Sequence, residues 1–123
     1  MADHLPLQTL APAGSTGNQT TQPAQLNPDA ENASVEFIVE AIGATPTVTW
    51  KVQLSDDGLA WFDAQYVTDS SDAVAVAAIT VAVVGTQIVF LRLKDRDWRL
   101  ARLVVSANTN VTYRAELRQS DRD

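Results

Sequence analysis

The 123-residue sequence predicts an all-β protein, a single antiparallel β-sandwich preceded by an extended N-terminal arm. Three observations predict it. Apolar and polar residues alternate with period two, most clearly Val48, Trp50, Val52 and Leu54 against Thr49, Lys51 and Gln53, the pattern of a strand with one buried face. Clusters of turn formers separate such stretches, and no segment has the 3.6-residue apolar spacing of an amphipathic helix.

Residues 1–33 hold four of the five prolines (Pro6, Pro12, Pro23 and Pro28) and no aromatic residue. By composition this segment buries too little apolar surface to offset the entropy of ordering it. It reads as an arm that gains order by lying on another surface, with adjacent subunits preferred over its own domain. Leu5, Leu7, Leu10 and Leu26 would be its anchors. Deleting residues 1–33 is then expected to leave a folded domain, residues 34–123.

Within that domain, Val35, Phe37, Val39 and Ala41 form one face of a first strand, and Gly43–Pro46 ends it. The Val48–Leu54 strand follows. Ser55-Asp56-Asp57-Gly58 is a turn, because Asp and Ser side chains bond nearby amides and Gly58 is free to take positive φ. A third strand, Trp61–Val67, completes a hairpin whose two tryptophans, Trp50 and Trp61, read as core anchors. Residues 68–72 are a loop. Ala73–Val84 is apolar nearly throughout and rich in valine, which favours a strand with a bulge near Ala77-Ala78. Gln87–Lys94 places Val89, Leu91 and Leu93 on one side, and Asp95-Arg96-Asp97 connects it to Arg99–Ser106. Ala107–Asn110 turns the chain into a last strand with Val111, Tyr113, Ala115 and Leu117 inward. About seven strands with short connections fit an Ig-like or jelly-roll-like sandwich.

Composition excludes several function classes. There is no cysteine, so neither disulfides nor thiolate metal sites contribute. The formal charge is −6 and unevenly placed: residues 1–90 hold ten acids and one base, residues 91–123 eight bases and five acids. Such asymmetry either brings copies together through complementary patches or decorates a solvated face. The acidic balance argues against nucleic acid as partner, and no segment reads as a leader or a membrane span.

The sole histidine, His4, lies in the arm, which leaves no imidazole for a nucleophile to lean on. The pairs Asp56-Asp57 and Asp95-Asp97 fall in turns, where solvated acids are the rule. Ser55, Asp56, Asp57, Gly58 and Asp63 offer some oxygens for calcium, without the spacing of a helix-loop-helix site. Arg92, Lys94, Arg96, Arg99 and Arg102 surround Trp98, and because Asp95 and Asp97 neutralise the cluster locally, it suits a protein interface better than nucleic acid. No enzyme, metal or cofactor is expected.

Gln53-Leu54-Ser55-Asp56-Asp57-Gly58-Leu59-Ala60-Trp61 resembles the Q-x-S-x-D-G-x-x-W hairpin of discoidin-like and carbohydrate-binding modules and of small structural proteins of tailed bacteriophages. The polar arm, the cysteine-free sandwich and the final strand Ser106–Arg114 together resemble bacteriophage virion proteins, in particular capsid decoration (cement) proteins. That resemblance implies a non-enzymatic subunit made in the host cytoplasm and bound to the outside of the capsid. Its partners would be the major capsid protein and copies of itself in a homo-oligomer such as a trimer, with neither nucleic acid nor membrane. Leu5, Leu7, Leu10 and Leu26 of the arm, with Arg96, Trp98 and Arg99, would make the contacts. The alternatives are a tail-tube or tail-terminator subunit and a sugar-binding module using Trp98, Tyr66 or Tyr113.

Overall fold

A computed structural model of the chain describes residues 8–26, 30–64, 66–67, 74–75, 79–91, 93 and 98–121. The strands are β1 (Gln8–Thr16), β2 (Gln19–Thr20), β3 (Ala24–Gln25), β4 (Ala30–Ser55), β5 (Phe62–Asp63), β6 (Tyr66–Val67), β7 (Val74–Ala75), β8 (Ile79–Val81), β9 (Gly85–Leu91) and β10 (Leu100–Asp121). The fold is all-β as the sequence predicts, with antiparallel pairing throughout and no helix among the described residues.

The strands belong to one hydrogen-bonded sheet framed by β4 and β10, which pair from Leu100↔Ser55 to Asp121↔Ala30. Thirteen residues of straight strand would span roughly 43 Å at ~3.3 Å per residue. Phe37 and Trp50, that far apart on β4, instead stack with ring centroids 4.8 Å apart. The strand therefore doubles back, and β10 doubles back with it.

The corner is built by unequal chain lengths. Between the pairs Ser106↔Thr49 and Tyr113↔Val39, β10 advances seven residues and β4 ten. An odd surplus of three flips the inward face of β4, which buries Val35, Phe37 and Val39 before the corner and Val48, Trp50, Val52 and Leu54 after it. β10 keeps one parity, burying Ala101, Leu103, Val105, Val111, Tyr113, Ala115 and Leu117. Thr45, Ala107 and Asn110 all take positive φ here, a conformation that costs non-glycine residues of order 1–3 kcal/mol each. Side-chain amides hold the bend: Asn110 Nδ2 donates to the Ala44 carbonyl at 2.6 Å, and Asn108 exchanges bonds with Val111. Gly43 lies close to the facing strand, since a Cβ there would lie 3.1 Å from Asn110 Cβ and Asn110 would have to shift by a few tenths of an ångström.

The flanking strands follow the same bend. β9 pairs with β4 before the corner (Ala33–Val39) and β8 after it (Val48–Trp50), while β1 lies along the distal part of β10 and β2 and β3 along its proximal part. Folding brings the inner faces together over a core in which Phe37 stacks on Trp50 and, at 5.1 Å, on Tyr113.

Two expected strand ends are corrected: Gly43–Pro46 and Ala107–Asn110 are corners inside long strands, because pairing resumes beyond each. The strands form one continuous sheet, and β4 runs across residue 33.

Residues 8–26 are a margin of the sheet and not an arm on a neighbour. Leu10 and Leu26 are buried in the chain's own core beside Ala11 and Ala24, which removes them as anchors elsewhere. Thr21 ties the segment to β10 through Thr21 N–H to the Leu103 carbonyl at 2.9 Å and Leu103 N–H to Thr21 Oγ1 at 2.9 Å. Composition misled because the apolar surface this segment covers belongs mostly to β10. Its prolines sit where a margin tolerates them, Pro12 in the bulge between the Ala11 and Ser15 pairings and Pro23 between β2 and β3. Leu5, Leu7 and His4 lie outside the described residues.

Part of the charge asymmetry is paired within the molecule. Acidic β4 lies beside basic β10, so Arg118 meets Glu36 at 2.9 Å and Arg114 meets Glu40 at 3.7 Å and Glu116 at 2.7 Å. These exposed pairs add little stability, ~0–1 kcal/mol each, but they set acid beside base along this ladder.

Candidate functional site

The end of the fold opposite the corner gathers the arginine and aromatic residues. It is organised by the Ser55–Trp61 turn, where β4 ends. Ser55 Oγ accepts the Gly58 N–H at 2.8 Å, and Asp57 Oδ1 accepts the N–H groups of Leu59 at 2.8 Å and Ala60 at 3.1 Å. Those two backbone donors hold the Asp57 carboxyl below the usual range. Gly58 has φ +80 and packs against Leu100, so a side chain there would be both strained and tight. The turn bonds itself through Ser55 and Asp57 and thrusts Leu59 outward, 87% exposed.

The hairpin predicted from sequence is present, with Leu54↔Phe62 and Gln53↔Asp63 as its pairs. Trp50 is fully buried as expected. Trp61 is not a core residue: it is half-buried on the outer face, with the Arg102 guanidinium 4.2 Å from its ring centroid. The reason is the turn, whose length returns the chain with Trp61 one residue short of pairing. Arg102 Nε also donates to Gln53 Oε1 at 2.9 Å, Gln53 Nε2 donates to Asp63 Oδ1 at 3.1 Å, and Lys51 Nζ reaches the same oxygen at 3.0 Å. The Gln53 hydrogen bond first, then Lys51, keeps the Asp63 carboxyl below its ordinary value. Asp63 thus faces Lys51 and Gln53 while Asp57 binds the turn amides, and no metal-holding cluster of His, Cys, Asp and Glu occurs among the described residues.

Trp98 is half-buried against the core and lies 5.9 Å from Phe62 in a tilted ring contact. Arg99 is clamped through its backbone, with its N–H on the Ser55 carbonyl at 2.9 Å and its own carbonyl accepting the Leu26 N–H at 2.7 Å, so its side chain is presented to solvent. Of the residues singled out from sequence, Trp98 and Arg99 meet here, Leu10 and Leu26 are internal, and Leu5, Leu7 and Arg96 lie outside the described residues. Sequence reading placed Arg102 in the basic cluster around Trp98 but missed Leu59, Trp61 and Phe62 at this end of the sheet. Their signal was the aromatic pair directly after a turn that pairs with the start of the arginine-bearing strand.

One sugar-stacking candidate changes status and a second is not described. Tyr113 is fully buried, its hydroxyl donating to the Gly17 carbonyl at 2.9 Å and accepting from Gln19 Nε2 at 2.8 Å. The side chain of Tyr66 lies outside the described part. No protein-family model matches the chain, and a search of curated proteins found no match.

Proposed function

We propose that the chain is a non-enzymatic structural protein of a tailed-bacteriophage virion that docks on the capsid exterior as a decoration protein. The observation that carries this reading is the composition of the end just described: Leu59, Phe62, Trp98, Arg99 and Arg102 gather at one end of the sheet, Phe62 with Trp98 on one side and Arg102 with Trp61 on the other, and aromatic and arginine side chains supply most of the energy in protein interfaces. A rigid, self-bonded turn presenting Leu59 supports docking, because little conformational freedom is lost on binding. The mechanism differs from an arm reaching across neighbours, since residues 8–26 are committed to their own sheet.

Particles banded on a density gradient from the encoding phage should carry the chain in many copies. Stripped particles should rebind purified protein, and Leu59→Asp or Trp98→Ala should weaken that rebinding without altering the far-UV spectrum. Particles lacking the chain, or rebinding indifferent to both substitutions, would remove this reading.

A further inference from the structure

Asp57-Gly58 is the one Asp-Gly step in the sequence, and no Asn-Gly step occurs. In such a step the glycine nitrogen can attack the aspartyl side-chain carbon, since glycine carries no side chain to obstruct the approach and its backbone adopts unusual conformations freely. The N–Cγ bond forms as the Gly58 N–H proton and the carboxyl hydroxyl leave together as water, giving a five-membered cyclic imide. A second water then opens that ring on either side. One opening restores aspartate, and the other leaves isoaspartate, in which the main chain runs through the Asp57 side chain. The sequence of steps needs only water, to which Asp57 is exposed.

The turn opposes both partners of this reaction. The Gly58 N–H donates to Ser55 Oγ at 2.8 Å, and Ser55 is fully buried, so the attacking nitrogen is free only when that bond breaks. On the other side, the Asp57 carboxyl accepts the N–H groups of Leu59 at 2.8 Å and Ala60 at 3.1 Å and the Ser55 hydroxyl at 3.2 Å. All three donors favour the ionised carboxylate, whereas ring closure expels water from the neutral acid. We propose that Asp57-Gly58 is an isomerisation site held silent by these bonds, that Ser55 guards it, and that isoaspartate forms at a rate set by the fraction of time the turn is open. Ring closure consumes the carboxylate that holds Leu59 and Ala60, and isoaspartate lengthens the main chain by one carbon. The modification therefore dismantles the support under Leu59. This chemistry belongs to the turn itself, and the inference stands or falls independently of the particle-binding reading.

The test incubates the full chain near neutral pH, natively and in urea, and follows isoaspartate at Asp57 by isoaspartyl methyltransferase labelling and by electron-transfer fragmentation of the peptide spanning the turn. Isoaspartate should accumulate in urea, and at least about tenfold more slowly in the native chain. Ser55→Ala, shown by circular dichroism to be folded, should isomerise roughly fivefold or more faster than the native parent, the effect expected of one lost hydrogen bond. Hydrogen exchange of the Gly58 amide in the parent gives a second reading that needs no variant: its protection should match the ratio of the urea and native isomerisation rates. A native chain that isomerises as fast as the unfolded one, an unprotected Gly58 amide, a folded Ser55→Ala chain with the parent's rate, or an unfolded chain that forms no isoaspartate at Asp57 would each overturn the proposal.

Discussion

The Tyr113 hydroxyl donates a 2.9 Å hydrogen bond to the Gly17 carbonyl, tying the penultimate turn of the N-terminal margin to the core face of the last strand. The same oxygen accepts from Gln19, and Asn18 Oδ1 accepts the Asn108 N–H at 2.7 Å beside it. Tyr113 is thus both a ring in the central stack and the latch that holds residues 17–19 on β10. Replacing it by Phe keeps the ring and removes the latch, which should cost about 1–2 kcal/mol in urea denaturation. Burial pushes the Tyr113 phenol above its ordinary value. A group whose pKa is raised on folding contributes stability in full below the unfolded value and loses it as pH climbs toward the folded one. Alkaline destabilisation above about pH 10 should therefore be shallower in Tyr113→Phe than in the parent.

Leu10→Ala and Leu26→Ala should each lower stability by about 2–4 kcal/mol, the usual cost of emptying a packed leucine site. Removal of residues 1–26 should go further and abolish cooperative unfolding, since it bares β10 along most of its length. A truncated chain that melted as sharply as the intact one would show that the margin is dispensable.

Phe37 lies between Trp50 and Tyr113, one ring from each side of the fold. Phe37→Ala should cost about 3–5 kcal/mol. Trp50→Phe should cost less than its lost volume suggests, because the Trp50 Nε1–H is buried with no partner among the described residues and an unpaired buried donor is worth ~1–3 kcal/mol of penalty. Paired thermal melts of the two variants check this ordering.

Asp57 supports the Leu59 turn only while ionised in full, since its carboxyl is held low by backbone donors. A depressed carboxyl contributes stability above its unfolded value and loses it as pH falls through the folded one. The parent should lose stability below about pH 4, and Asp57→Asn should show a weaker acid dependence from the same titration of melting temperature.

The strands that carry clean alternation were legible in the sequence. Val48–Leu54 and Val111–Leu117 bury the residues their periods indicate, and Ser55–Gly58 turns as its side chains require. What could not be read was continuity. Gly43–Pro46 and Ala107–Asn110 look like ends because they contain turn formers, yet those residues bend two strands that continue, a distinction set by partners far away in the chain. The N-terminal margin was illegible for the same cause: with only Leu10, Ala11, Ala24 and Leu26 to bury, its order comes from β10 and not from itself. Of the candidate site, Trp98, Arg99 and Arg102 were found from local composition. Trp61 was misplaced because nothing local shows that Arg102 covers it.

The pairing of residues 8–25 with 100–117 sets the order in which the molecule can be made. Once made, β1 has no partner until β10 emerges, an interval of several seconds at typical elongation rates of roughly 5–20 residues per second. Until then the growing chain holds apolar β4 and β9 without their full complement of neighbours, so its yield in cells should depend on chaperones that shield nascent strands.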